Sequence, residues 1–124
     1  MAAAFLVIGS IAALLAVALG AFGAHALKRK LSADMLAIFQ TGVQYQMIHA
    51  IAILLIGGWW KQFGALALFS YAGWFFLAGI LLFSGSLYAL SLSGVRKLGA
   101  ITPLGGLCFL AGWFCLVLAG LSIG

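Results

Sequence analysis

The stretch FQTGVQYQMIH, residues 39–49, is the most polar part of an otherwise apolar chain. It brings three glutamines, a threonine, a tyrosine and a histidine into a long apolar run that ends at Trp59 and Trp60. Indole rings favour the headgroup level, so counting about 20 residues back from them starts a membrane span near Gln40 and puts His49 near mid-membrane. Polar groups at that depth face lipid only at a cost of several kcal/mol. We therefore expect this segment to face other helices.

The composition around this stretch is that of a membrane protein. Of 124 residues, 67% are hydrophobic and 6% are charged, whereas soluble domains carry about a quarter charged residues. The charges leave four uncharged runs, residues 1–27, 35–60, 62–95 and 98–124, each longer than the roughly 20 residues of a bilayer crossing. We predict an all-α integral membrane protein, an antiparallel up-down four-helix bundle. It forms a single transmembrane domain over residues 1–124, with spans near residues 4–24, 38–60, 65–92 and 99–121.

The first apolar run resembles a signal peptide but lacks its basic n-region and is too long for its apolar core. We expect this run to be retained as the first span.

The basic residues lie in short turns between the spans, where anionic lipid headgroups attract them by about 1 kcal/mol each. We interpret the net charge of +5 as contact with the lipid bilayer and not as a nucleic-acid site. The turns after the first and third spans carry five basic residues, and the turn between them carries Lys61 alone. The positive-inside rule then predicts a multi-pass protein of the plasma (inner) membrane with both termini outside the cytoplasm. The five headgroup-contact residues are Lys28, Arg29, Lys30, Arg96 and Lys97.

The second span has a candidate polar face. At 100° per residue, Thr41, Gln44, Tyr45 and His49 share one side of the helix and Gln46 lies opposite. The best partners are polar residues of the third span, Ser84 and Tyr88. Two interpretations stay open: a buried hydrogen-bond network that fixes helix register, and a pocket for a small solute or a proton.

Small residues form a seam on each of the first and fourth spans. Lipid gives helices no hydrophobic drive to associate, so close packing depends on small side chains that let backbones approach. If the bundle needs only one seam internally, the other is free for a second copy or a larger membrane partner. The seams are Gly9, Ala13, Ala16, Gly20 and Gly23 in the first span, and Gly105, Cys108, Gly112, Cys115 and Ala119 in the fourth.

No constellation of residues indicates a cofactor or catalysis. His25 and His49 differ in depth by about 13 Å, which argues against two histidines ligating one haem iron. His, Cys and carboxylate residues do not cluster as metal ligands do, and no serine or cysteine motif places a base beside a nucleophile. We expect no enzymatic activity, no cofactor and no metal.

Four motifs together resemble the YgdD/YwdK family of small membrane proteins. They are GAFGAHAL at residues 20–27, TGVQYQMIH at 41–49, FSGSLY at 83–88, and ITPLGG at 101–106 followed by Gly112 and Trp113. The resemblance implies four spans in a bacterial inner membrane and a domain of unknown function. It marks several motif positions without giving them roles: His25, Gln44, Tyr45, His49, Tyr88 and Pro103.

Two functional hypotheses follow. The leading one is a non-enzymatic packing or interaction protein, a bundle that self-associates or docks beside a larger membrane partner. The alternative is a minimal transporter or channel for a small solute or proton through the polar face of the second span.

Overall fold

The computed structural model describes residues 1–124 and consists of four long helices joined by short turns. Helix α1 spans Ala2–Leu27, α2 spans Ala33–Phe63, and α3 spans Ala67–Ser93. Helix α4 spans Thr102–Ile123 and follows a 3-10 turn at Arg96–Ala100. All four helices are long and apolar enough to cross a membrane. The predicted all-α four-helix membrane architecture is confirmed.

Local sequence accounts for the helix ends. The Ser32 side chain caps α2 by accepting a hydrogen bond from the Met35 N–H at 3.2 Å, and Asp34 lies in the first turn, where the helix dipole favours a negative charge. Gly94 ends α3 with a φ of 75°, a left-handed conformation that glycine adopts without a Cβ clash. Pro103 lies in the first turn of α4, where its missing N–H is not needed.

Helices α2 and α3 form the central pair of the bundle. Helix α1 packs mainly against α2, and α4 packs mainly against α3. The buried residues of α2 recur at steps of three and four, a spacing that keeps them on one side of a helix. Those on the central part of this side are Phe39, Gly42, Gln46, His49, Ile53 and Ile56.

Both small-residue seams lie inside the bundle. On α1, a Cβ added to Gly9 would lie 2.9 Å from the Leu54 side chain of α2. On α4, a Cβ added to Gly105 would lie 2.7 Å from the Phe83 Cα of α3, and one added to Gly112 would overlap the Phe76 ring. The expectation of a seam left free for a partner is therefore wrong.

Five predicted seam positions are only partly buried: Ala13, Gly20, Gly23, Cys108 and Cys115. Ala12 of α1 and Phe109 of α4 hold the neighbouring buried positions instead.

One turn in each of α1 and α3 is π-helical. These turns are Ala18–Gly23 and Ile80–Ser84. A π turn inserts an extra residue and so rotates everything beyond it relative to a regular α-helix. In α3, steps of four from Phe76 to Tyr88 would drift by about 120° in a regular helix. The π turn removes most of this drift, so Ser84 and Tyr88 still reach α2.

Adjacent glycines at the start of α4 provide a test of the close α3–α4 packing. Gly105→Ala should lower the free energy of unfolding by about 1–3 kcal/mol because the new methyl group meets the Phe83 backbone, which cannot move aside. Gly106→Ala is the matched control, since a Cβ there meets no atom within 4 Å. It should be neutral or stabilising by up to about 1 kcal/mol. Reversible unfolding in detergent micelles measures both, and equal stability of the two variants would contradict the packing.

Candidate functional site

Gln46 lies at the centre of the bundle and bonds to two neighbouring helices. Its side chain is 4% exposed. The Nε2 group donates to the Ala12 carbonyl of α1 at 2.8 Å, and Oε1 accepts from the Tyr88 hydroxyl of α3 at 2.6 Å. One amide therefore joins α1, α2 and α3.

Gly42 makes room for the tyrosine in this arrangement. A Cβ at Gly42 would lie 2.8 Å from the Tyr88 ring. Because the glycine has no side chain, the ring lies over the backbone of α2, with its centroid 5.1 Å from that of Phe39. The hydroxyl then reaches Gln46, one helical turn further along α2.

Ser84 makes a second bond between α2 and α3. Its buried hydroxyl donates to the Gly42 carbonyl at 2.6 Å. A carbonyl oxygen has two lone pairs, so this bond adds to the regular helical one. Gly42 thus contacts α3 in two ways. The Tyr88 ring lies over its backbone, and its carbonyl group accepts the hydrogen bond from Ser84.

His49 connects α2 to α4. Its Nδ1 lies 2.8 Å from the Tyr45 carbonyl, and its Nε2 lies 3.0 Å from the Trp113 indole nitrogen. The carbonyl can only accept and the indole N–H can only donate, so both bonds form when the neutral ring carries its proton on Nδ1. The imidazole also stacks on Phe109, with ring centroids 3.6 Å apart and an interplanar angle of 8°.

The network continues where α3 meets α4. The Ser86 and Thr102 hydroxyls lie 2.6 Å apart, and Ser86 also donates to the Phe83 carbonyl at 2.9 Å. Every buried side-chain nitrogen and oxygen atom in the chain has a hydrogen-bond partner. The arrangement is therefore a closed set of bonds that fixes the four helices to one another.

The structure brings together three residues of the predicted polar face and its partners and places the others elsewhere. His49, Ser84 and Tyr88 make hydrogen bonds between helices. Gln44 and Tyr45 do not: both are exposed, and Tyr45 is 39% exposed with its ring against Phe83 of α3 at 4.6 Å.

Thr41 and Gln46 also differ from the prediction. The Thr41 hydroxyl bonds to its own helix at the Ala37 carbonyl, 3.0 Å away. Gln46, predicted to lie on the opposite side, is the buried glutamine. The buried side of α2 follows the steps of three and four from Phe39 to Ile56, and position 46 belongs to that series, whereas 44 and 45 do not. Residues 44, 48, 51 and 55 form a second series with the same spacing, so spacing alone does not select Gln46 over Gln44.

The remaining candidate residues lie at one end of the bundle. Lys28, Arg29 and Lys30 in the α1–α2 turn are exposed, as are Arg96 and Lys97 in the α3–α4 turn. Antiparallel helices place both turns at the same end. No group of three or more His, Cys, Asp or Glu residues is arranged to hold a metal ion.

The chain is similar to membrane proteins of unknown function. Residues 19–106 match a family model described as a protein of unknown function, DUF423. The chain is 46% identical over 118 residues to UPF0382 membrane protein YwdK of Bacillus subtilis, covering 95% of this chain and 96% of that protein. It is 41% identical over 116 residues to UPF0382 membrane protein SH2409 of Staphylococcus haemolyticus, covering 93% of each. No solved structure matches the chain.

A double-mutant cycle tests the bond between Gln46 and Tyr88. Gln46→Leu and Tyr88→Phe should each destabilise the bundle, because each leaves a buried polar group without its partner. The double variant should lose less than the sum of the two, with a coupling energy of about 0.6–1.7 kcal/mol, the range of hydrogen bonds between membrane helices. Unfolding in micelles supplies the four free energies. Gln44→Leu is the control and should not destabilise the monomer, and additive effects would show that the bond contributes nothing.

Proposed function

The chain belongs to the DUF423 family of membrane proteins, whose function is unknown, and for this member we propose a non-enzymatic role in lateral self-association through the outer side of α2. One observation carries the proposal: Gln44 lies on a lipid-facing stripe without a partner in its own chain. Hydrogen bonds in this part of α2 come from Thr41, Gln46 and His49 side chains, and Gln44 makes none.

The outer stripe of α2 is a regular helical surface. Its residues are exposed and recur at steps of four, three and four, the spacing of a surface that packs against another helix. Three of them are aliphatic and one is the polar Gln44. The outer stripe is Gln44, Ile48, Ile51 and Leu55.

The depth of Gln44 makes a lipid-facing orientation unfavourable. Gln44 lies 15 residues before Trp59, about 22 Å along the helix, and so within a hydrocarbon core about 30 Å thick. An amide has both donors and an acceptor, so it can pair with its own copy across a two-fold axis. Such a pair would satisfy both glutamines at once and supports a homodimer over an unpaired monomer.

Transport is the second function that the sequence suggested, and the geometry favours it less. A path for a solute or a proton along the inward-facing side of α2 would pass Gln46 and His49. The Gln46 amide and the His49 ring are each bonded at both ends. A solute would have to break these bonds, which fits a structural network better than a conducting one.

Crosslinking in membranes tests the proposed interface. In a background with Cys108→Ser and Cys115→Ser, Ile48→Cys should form disulfide-linked dimers on mild oxidation. Leu110→Cys on α4 is the matched control: it is 67% exposed and lies at a similar depth, since its neighbour Phe109 contacts His49. Adding Gln44→Leu to Ile48→Cys should weaken association by about three- to tenfold, the equivalent of one interhelical hydrogen bond.

The outcomes of this experiment separate three possibilities. Equal crosslinking of Ile48→Cys and Leu110→Cys would indicate random collision and overturn the proposed interface. A single larger product that contains another protein would assign the outer stripe to a different membrane partner. Dimers that survive Gln44→Leu unchanged would show that the amide plays no part.

We also propose that the protein lies in the plasma membrane with both termini outside the cytoplasm, since five basic residues lie at one end of the bundle and Lys61 lies at the other. Alkaline phosphatase fused after Gly124 should be active, because this enzyme requires the oxidising outer compartment for its disulfides. A truncated fusion after Ser32, in the α1–α2 turn, is the control and should be inactive. The reverse pattern of activity would overturn the orientation.

A further inference from the structure

A cleft of about 540 Å³ runs between α1 and α3 and opens sideways, toward the membrane. Ile11 and Leu15 of α1 and Leu81 of α3 line its open side, and each is at least 48% exposed. Gln46 and Tyr88 also line the cleft, but their polar groups bond to each other at 2.6 Å. No polar atom is exposed in the cleft. The bundle therefore offers the membrane an entirely apolar recess.

The cleft results from the way α1 packs against its neighbours. At one end of the bundle, the Phe5 ring of α1 occupies the space left by Gly73 of α3. Further along, glycines bring α1 against α2 instead, since Cβ atoms added to Gly9 and Gly20 would lie 2.9 and 3.0 Å from side chains of α2. A space then remains between α1 and α3. An empty apolar space loses dispersion contacts on every wall, so an occupant from outside the chain would stabilise the bundle.

Both walls of the cleft contain part of a π turn. Ala18 and Leu19 belong to the π turn of α1, and Ile80 and Leu81 belong to that of α3. Single π turns occur frequently at functional sites, where the irregular backbone changes the surface that a helix presents. Two such turns on opposite walls of one space support a binding role for the cleft.

The volume of the cleft limits what can occupy it. The α1 wall runs from Ile8 to Leu19, about 16 Å of helix. A partner helix of that length, about 10 Å across with its side chains, would fill roughly 1,200 Å³, more than twice the 540 Å³ of the cleft. A cavity of about 150 Å³ holds one benzene molecule, so the cleft has room for roughly 18 to 20 carbon atoms. It fits one hydrocarbon chain and not a helix.

The depth of the cleft places it within one leaflet and across the midplane. The α3 wall runs from Leu77 to Tyr88, and α3 ends at Ser93, at the end of the bundle that carries the basic turns. At 1.5 Å per residue, this wall lies between about 7 and 24 Å from the end of α3. Each leaflet contributes about 15 Å of hydrocarbon. Acyl chains of the leaflet at the basic end are therefore the apolar chains closest to the cleft.

We propose that the cleft binds one acyl chain of a phospholipid from the leaflet at the basic end of the bundle. The chain lies between α1 and α3, restores dispersion contacts to both walls and covers the bond between Gln46 and Tyr88. Because the cleft exposes no polar or charged group, it recognises the chain and not the headgroup. This property separates the site from the attraction of anionic lipids to the basic turns.

Two glycines allow a direct test of the acyl-chain site. Gly85 lines the cleft, and a Cβ built there meets no atom within 4 Å, so Gly85→Phe fills the cleft without a backbone clash. Gly106→Phe is the matched control, because Gly106 has the same free space but lies on α4. The protein is extracted from vesicles of equal dipalmitoyl phosphatidylglycerol and phosphatidylethanolamine, and native mass spectrometry counts the retained lipids. We expect one retained phospholipid of either headgroup in the wild type and the control, and a loss of at least roughly fivefold in Gly85→Phe.

Thermal unfolding in detergent micelles supplies a second measurement. A ligand that binds only the folded state raises the unfolding temperature, so added dipalmitoyl phosphatidylethanolamine should stabilise the wild type and Gly106→Phe. It should have no such effect on Gly85→Phe, in which the new ring occupies the cleft. A didecanoyl phospholipid should stabilise the wild type less, because its shorter chains fill less of the cleft.

Several outcomes would overturn the proposal. They are the absence of retained lipid in the wild type, wild-type retention in Gly85→Phe, and an equal loss in Gly106→Phe. A several-fold preference for phosphatidylglycerol would assign the retained lipid to the basic turns. Unchanged lipid retention with a loss of the dimers crosslinked through Ile48→Cys would assign the cleft to side chains of a second copy.

A second variant covers the case in which Gly85→Phe does not fold. Ala18 is exposed and lines the cleft from α1, so Ala18→Phe closes the cleft from the other wall and should cause the same loss of lipid. The result is independent of self-association, because the outer stripe of α2 does not line the cleft.

Discussion

The hydrogen bonds of Gln46 and His49 on α2 are the interactions on which the rest of the bundle depends. Burial of apolar surface does not drive membrane helices together, because lipid is as apolar as the side chains. Gln46 bonds to the Ala12 carbonyl of α1 and to Tyr88 of α3, and His49 bonds to Trp113 of α4. Two side chains three residues apart therefore connect α2 to every other helix. An unpaired polar group in hydrocarbon is costly, so each bond also disfavours the register in which it would be absent.

Small residues bring the helices close enough for these bonds to form. Gly42 lets the Tyr88 ring cross α2, and without that approach the hydroxyl could not reach Gln46. Glycines also let aromatic rings pack around His49. Gly79 of α3 leaves room for Phe109, on which the imidazole stacks. Gly112 of α4 leaves room for Phe76, whose ring meets the imidazole edge-on with centroids 5.2 Å apart. Glycine on one helix and a large aromatic residue on the next thus act as matched pairs around Gln46 and His49.

The sequence was sufficient to predict four spans, an antiparallel arrangement and the inward positions of His49, Ser84 and Tyr88, because span length, short turns and the cost of buried polar groups determine them. It was not sufficient to choose between the two sides of α2. The series containing Gln46 and the outer stripe containing Gln44 have the same spacing, and each contains one glutamine among mainly apolar residues. Lipid and protein core select similar side chains, so hydropathy does not distinguish them. The contact between His49 and Trp113 depends on how α4 lies against α2, and the π turns have no recognised sequence signal that would have revealed them.

Gln44 and Gln46 are two residues apart, about 200° around the helix, so α2 presents one amide to its neighbours in the bundle and the other to the membrane. The inner amide stabilises the monomer by bonding on both sides. The outer amide contributes nothing to the monomer that leucine could not provide at lower cost in lipid, so its presence is better explained by a contact outside the chain.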